Sequence, residues 1–224
     1  MPGRRNDPGR VPSGAPLDLD RVWYVAYGSN MHADRLRCYL AGGTPPGGRR
    51  TYPGCRNPNP PERTVPVLLP GGVYFALESR AWTGGMAFYD PQLDGEAAAR
   101  AYLVTTSQFA DIAAQEMYRP PCDDLDLLRL VEAGRLELGP GRYETLLYVG
   151  ALDGYPMITF TAPCSAHEVD PAKPAPAYVA FLAGGLRESH GWDTARIAQY
   201  LERLPGIHGE WDPAELCRLI SKAG

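Results

Sequence analysis

The sequence predicts an α+β domain rather than a doubly wound sheet. Short apolar runs of uneven spacing occupy the first two thirds of the chain, and amphipathic helical patterns fill the last third. Size agrees, because 224 residues with 44% apolar and 21% charged side chains can bury one sizeable core. Glycine and proline are numerous, 25 and 23, but they cluster, so they mark a tail and long loops rather than a disordered whole.

Residues 1–20 mix Gly, Pro, Arg and Asp without periodicity and are expected to be a disordered tail. Arg4, Arg5 and Arg10 stand there without an apolar stretch, so the segment does not read as a secretory signal. A single domain is expected over 21–224. Its first element, Val22 to Tyr27, is β-branched and aromatic on both faces, which suits a buried strand. The strand breaks at Gly28-Ser29-Asn30. A helix is expected from about Met31 to Leu40, with Ser29 or Asn30 as its cap and Gly42-Gly43 as its stop. Thr44 to Gly72 is dense in Pro, Gly and Arg and reads as a long loop, of the kind that often serves as a lid or binding loop.

Strands are expected at Val73–Leu77, Gly85–Tyr89 and Ala101–Val104, then a helix from Ser107 and a second helical stretch over Asp123–Glu132. Tyr143–Val149 and Met157–Thr161 read as a hairpin turned at Asp153-Gly154. Three helices close the chain. Pro174 and Pro176 open the first, which carries Tyr178, Phe181, Leu182 and Leu186. Ile197, Tyr200, Leu201 and Leu204 share one face of the second, and Asp212 with Glu215 caps the third.

Composition excludes several function classes. A net charge of −4 argues against nucleic acid as a partner. No apolar run approaches the roughly 18 residues of a membrane span. The five cysteines (Cys38, Cys55, Cys122, Cys164, Cys217) are odd in number and scattered, and the four histidines show no metal-ligand spacing. That argues against a disulfide framework and a structural zinc site, and a cytoplasmic protein with reduced thiols is expected.

Two places concentrate chemistry. At Tyr27-Gly28-Ser29-Asn30-Met31 a glycine between strand and helix allows a sharp turn and close approach of a ligand. Backbone N–H groups at a helix start can hold an anion or a developing oxyanion. On composition alone a plain strand-to-helix connection with a polar cap is the favoured reading, because a lone Gly-Ser-Asn is a weak signal. The second place is Glu116. It lies seven, four and three residues beyond Phe109, Ile112 and Ala113, on the same helix face, with Asp111 and Gln115 expected toward solvent. Partial burial of a carboxyl raises its pKa toward neutrality, which suits a proton shuttle. Periodicity does not separate that role from a buried structural ion pair, for which Arg119 stands close in sequence.

Together these features resemble the γ-glutamylcyclotransferase-like family. Tyr27-Gly28-Ser29-Asn30-Met31 is similar to that family's Y-G-S-N-[LM] signature at the end of the first strand, and Glu116 falls where the family's catalytic glutamate is expected. Pro176-Ala-Tyr178 with Gly185-Leu186-Arg-Glu-Ser-His-Gly191 resembles its later helix and G-L-x-E-x-G tail, so the likeness runs over about 22–191. Met117 stands where the family usually has glycine. The stretches 44–72 and 120–142 are longer than in compact members and are expected to be insertions.

The resemblance implies a mixed sheet curled into a small barrel with helices around it. It also implies cyclisation of a small-molecule γ-glutamyl substrate to 5-oxoproline, with no metal or other cofactor. Glu116 would then be the general base and acid; Tyr27, Gly28, Ser29, Asn30 and Met31 would bind the substrate, and Tyr178 would donate its phenol to it. Among other groups, Glu78 and Glu96 are weaker carboxylate candidates, and Arg49, Arg50, Arg56 and Arg63 read mainly as a solvated loop. A non-catalytic ligand-binding module on the same fold is the alternative.

Overall fold

The computed structural model describes residues 17–79, 83–121 and 123–222. In chain order the elements are β1 (Arg21–Ala26), a 3₁₀ turn (Ser29–Met31), α1 (Ala33–Ala41), β2 (Arg63–Pro70), β3 (Gly72–Ala76), β4 (Met86–Asp90) and β5 (Glu96–Thr105). There follow α2 (Thr106–Glu116), α3 (Leu127–Ala133), β6 (Arg135–Glu137), β7 (Thr145–Leu152), β8 (Tyr155–Thr161), α4 (Pro176–His190), α5 (Thr194–Leu201) and α6 (Pro213–Lys222). Of the expected tail, residues 1–16 lie outside the described residues. Asp18 donates its N–H to the Gly154 carbonyl at 3.0 Å, and the Thr106 hydroxyl donates to the Leu19 carbonyl, so the chain is already tied to the domain before residue 21.

The α+β class holds, and the barrel does not. Six strands form a mixed sheet in the order β2-β5-β1-β8-β7-β6, while β3 and β4 pair in a separate two-stranded ladder. Only the β1–β8 pairing in the large sheet is parallel. The small ladder is joined to the large sheet through a side chain. Thr161 at the end of β8 accepts the Tyr89 N–H at 3.0 Å and donates its hydroxyl to the Tyr89 carbonyl at 2.7 Å. One hydroxyl satisfies both backbone groups, so strand pairing stops there and the sheet stays open.

The central strands are apolar for the reason their composition suggests. β1 sits between β5 and β8, and Val22 to Val25 are buried on both faces. β5 is longer than expected because Ala97, Ala98 and Ala99 continue it, fully buried. The expected loop 44–72 contains β2, paired in full register with β5 from Arg63↔Leu103 to Pro70↔Glu96. The hairpin turns where expected, with φ of 52° at Asp153 and 84° at Gly154, the left-handed pair such a turn needs.

α2 begins in a reciprocal cap, with Thr105 accepting from the Gln108 N–H and the Gln108 side chain accepting from the Thr105 N–H. Phe109, Ile112 and Ala113 face the core as expected. The helical stretch expected over Asp123–Glu132 narrows to α3, capped by Asp126 and stopped by Gly134 in the left-handed region. Among the described residues no helix is long and apolar enough to cross a membrane. Cys38, Cys55, Cys164 and Cys217 are free thiols, and Cys122 lies outside the described residues.

Candidate active site

β1 ends at Ala26, and the chain turns through Gly28 into the 3₁₀ turn at the foot of α1. A Cβ on Gly28 would lie 2.6 Å from the Tyr178 hydroxyl, so any larger residue there would have to displace that phenol. The Tyr178 hydroxyl accepts the Ser29 N–H at 3.2 Å. From behind, α4 presses backbone against the turn, since a Cβ on Gly185 would meet the Met31 Cβ at 2.6 Å and the His32 nitrogen at 2.7 Å. Glu188 accepts from the Ala33 N–H at 3.0 Å and from Arg100 at 2.8 Å, while Arg100 also donates to the Met31 carbonyl. The turn is braced by α4 and β5 together.

Tyr27, Gly28, Ser29, Asn30, Glu116 and Tyr178 line one narrow cavity of about 50 Å³. Met31 is not part of it. Its side chain is fully buried, its N–H donates to the Gly28 carbonyl, and its own carbonyl accepts from Arg100 and Tyr102. Met31 therefore holds the turn rather than facing a ligand. Tyr27 fixes its phenol on the Phe160 carbonyl at 2.8 Å.

Glu116, the last residue of α2, is half-buried. Its Oε1 accepts from Asn30 Nδ2 at 3.2 Å and from the Tyr39 hydroxyl. Oε2 accepts no hydrogen bond among the described residues. The ion pair with Arg119 does not form; Arg119 pairs with Glu144. Asp111 and Gln115, expected at the surface, are fully buried: Asp111 accepts from the backbone N–H and guanidinium of Arg56, and Gln115 donates to the Tyr39 carbonyl. The polar positions of α2 grip the chain ahead of β2, and the surface face expected of them is absent. Met117 has an ordinary φ of −78°, which any side chain accepts.

Behind Glu116 stands a group that sequence reasoning missed. Arg35 is buried between the rings of Tyr39 and Tyr52, its guanidinium carbon 4.6 and 4.5 Å from their centroids. It donates to the Tyr52 hydroxyl at 2.6 Å and to Tyr39 at 3.1 Å. Burial opposes its charge, but the surrounding phenols and Glu116 hold it protonated, above the usual arginine value. Arg35 and Tyr39 stand four apart on α1, a spacing that faces them the same way. A charged residue four before an aromatic on an apolar helix face was the available signal.

The phenols around the cavity are held neutral. Burial pushes Tyr178 up to about 12, and Tyr24, Tyr27, Tyr39 and Tyr143 well above the ordinary phenol value. At neutral pH each is a donor. Tyr24, expected only as core, is fully buried, yet its hydroxyl accepts from Asn30 at 3.0 Å. Of the loop arginines, Arg56 pairs with Asp111 and Asp124 and Arg63 with Asp153, while Arg50 reaches the cavity. Cys38 donates to the Asp34 carbonyl and His32 faces Glu188, so they form no thiol–imidazole pair. Among the described residues no group of three or more His, Cys, Asp or Glu is placed to hold a metal ion.

No family model matches the chain. Histone deacetylase 5 of Arabidopsis thaliana is 30% identical over 200 residues, covering 81% of this chain and 30% of that protein. The chain thus spans under a third of that relative's length. A crystal structure of an uncharacterized protein from Homo sapiens aligns over 90% of this chain and 99% of its own, with a TM-score of 0.50 and 15% identity. A structure titled gamma-glutamyl cyclotransferase aligns over the same shares, with a TM-score of 0.46 and 14% identity. The human protein is similar to this chain in fold.

Proposed function

We propose that this chain cyclises a γ-glutamyl group to 5-oxoproline and releases the amine that had been joined to it. The observation that carries the reading is the state of Glu116. One carboxylate oxygen is fixed by Asn30 and Tyr39, and the other accepts no hydrogen bond among the described residues, on a side chain that lines the cavity. A carboxyl so held is oriented for proton transfer.

The substrate's α-amine attacks its own γ-carbonyl carbon, forming the ring C–N bond. The bond from that carbon to the leaving nitrogen then breaks. Glu116 takes the proton lost by the attacking nitrogen and returns it to the leaving nitrogen, so no water is consumed and the enzyme is restored. An α-amine titrates near ~8, so a base assists it at neutral pH. Because nucleophile and carbonyl share one molecule, the protein's task is to fold the chain for attack, and well-oriented intramolecular reactions reach effective molarities of roughly 10⁵ M or more. The backbone at Gly28–Asn30 and the Tyr178 phenol would hold the glutamyl portion, with Tyr178 a neutral donor.

The test is 5-oxoproline release from γ-glutamyl amino acids, γ-glutamyl amines and glutathione. Glu116→Gln keeps an oxygen for Asn30 and Tyr39 but cannot shuttle the proton. It should lower kcat by about 10²–10⁴ while leaving the melting temperature within a few degrees. Wild-type turnover by that variant removes Glu116 from the mechanism. Ligand binding without product from any substrate leaves a binding module.

A further inference from the structure

The donor that fixes Glu116 is itself fixed. The Tyr39 hydroxyl donates to Glu116 Oε1, and the same hydroxyl oxygen accepts from Arg35 Nη2 at 3.1 Å. A guanidinium, a phenol and a carboxylate therefore stand in one chain. Burial holds the Tyr39 phenol well above its ordinary value, so it keeps its single proton at neutral pH. That proton has two oxygens to choose from, because the Tyr52 hydroxyl lies 3.4 Å away. Arg35 decides between them. It donates to the Tyr52 oxygen at 2.6 Å as well, and a positive charge beside both phenols turns the Tyr39 O–H dipole away from itself, toward the carboxylate. A phenol that accepts from a cation is also the stronger donor.

The fold holds each member in place. Arg35, only 3% exposed, shares one side of α1 with Tyr39. Tyr52 is tied to the end of that helix by two backbone bonds with Gly43, at 3.0 and 2.8 Å. The Tyr39 carbonyl accepts from Gln115 Nε2 at 3.0 Å and from the Cys55 thiol at 3.3 Å. Gln115 precedes Glu116, so α2 grips the Tyr39 backbone beside the point where the Tyr39 phenol grips α2. An aliphatic side chain could fill the space between the two rings without the desolvation cost of a buried cation. Packing alone therefore does not account for a guanidinium there.

We infer that Arg35 is a positioning residue: by directing the Tyr39 phenol onto Oε1 of Glu116, it keeps Oε2 aimed at the nitrogens that exchange the proton. The inference rests on the proposed reaction. Arg35 acts through Tyr39, so its contribution belongs to turnover and not to substrate affinity.

The experiment measures 5-oxoproline release from γ-glutamyl-alanine and γ-glutamyl-ethylamide. It compares wild type with Arg35→Met, Arg35→Lys, Tyr39→Phe and the double variant Arg35→Met with Tyr39→Phe, each checked by a thermal melt. Arg35→Met and Tyr39→Phe should each lower kcat by about 10- to 100-fold with KM within about threefold. The double variant should be no slower than the slower single one, because both changes break the same chain. Arg35→Lys keeps a cation and a donor and should recover part of kcat, which a residue that only fills space would not require. A raised KM with kcat kept places Arg35 on the substrate and overturns the positioning role. Multiplied effects in the double variant, or Arg35→Met as fast as Arg35→Lys, overturn it too. Tyr39→Phe removes a single oxygen and tests the chain even where Arg35→Met fails to fold; wild-type kcat in that variant overturns the role. Each of these results leaves the reaction standing. Product from neither substrate, nor from glutathione, overturns the reaction and the positioning role with it.

Discussion

A single atom of space decides the geometry at Gly28. The missing Cβ leaves room for the Tyr178 hydroxyl, which in turn receives the Ser29 N–H. Gly28→Ala should push the phenol aside and break that bond. The expected result is a rise of about 10-fold in KM for the γ-glutamyl substrate with a stability loss of about 1 kcal/mol, read from steady-state kinetics and a thermal melt. An unchanged KM would show that the phenol does not touch substrate. Of the individual residues, Glu116 was legible because three apolar neighbours at helical spacing made a carboxylate conspicuous. Arg35 was not. Its place four residues before Tyr39 was the one local hint, and the second ring, Tyr52, arrives from eleven residues beyond the end of α1, which no short-range pattern shows.

Among the elements, α2 does most to place the site, since it carries Glu116 at its end and holds the stretch before β2 through Asp111. Arg56 gives that fully buried carboxylate both its backbone N–H at 2.8 Å and its guanidinium at 3.0 Å. Asp111→Ala leaves those donors behind, but Arg56 is exposed and keeps Asp124, so the loss should be about 1–2 kcal/mol, lowering the denaturation midpoint. Release of the segment bearing Tyr52 should also loosen Arg35, so turnover should fall further than stability accounts for. Turnover that falls only as stability does would confine Asp111 to a structural part.

Periodicity read α2 correctly on its apolar side and wrongly on its polar side, because it cannot tell a solvated carboxylate from one buried against a partner fifty-five residues away. β2 was hidden for a different reason. Val65, Val67 and Leu69 alternate as a strand should, but Pro66 and Pro70 between them look like loop residues. The hairpin and the closing helices were plain because their signals are local: a turn dipeptide, caps and a 3.6-residue period.

For the molecule as a whole, buried phenols set an upper limit in pH. Tyr89, Tyr178 and Tyr200 are each pushed by burial from 10.0 up to about 12. Between those values the unfolded chain sheds protons that the folded chain keeps. Stability contributed by these groups is therefore full below pH 10 and is lost as pH rises toward 12. Circular dichroism across that range should show tyrosinate absorbance rising together with loss of fold. Ionisation of all the tyrosines near 10 in a folded protein would contradict their burial.

A cylinder would have left this sheet without margins; the open form has two, and both are guarded. On one side, Pro66 and Pro70 withhold two of the amide hydrogens that an invading strand would seek, and on the other β6 offers only three residues. Neither flank gives a neighbouring copy an unbroken template, so the chain can keep an incomplete sheet without recruiting partners through its backbone.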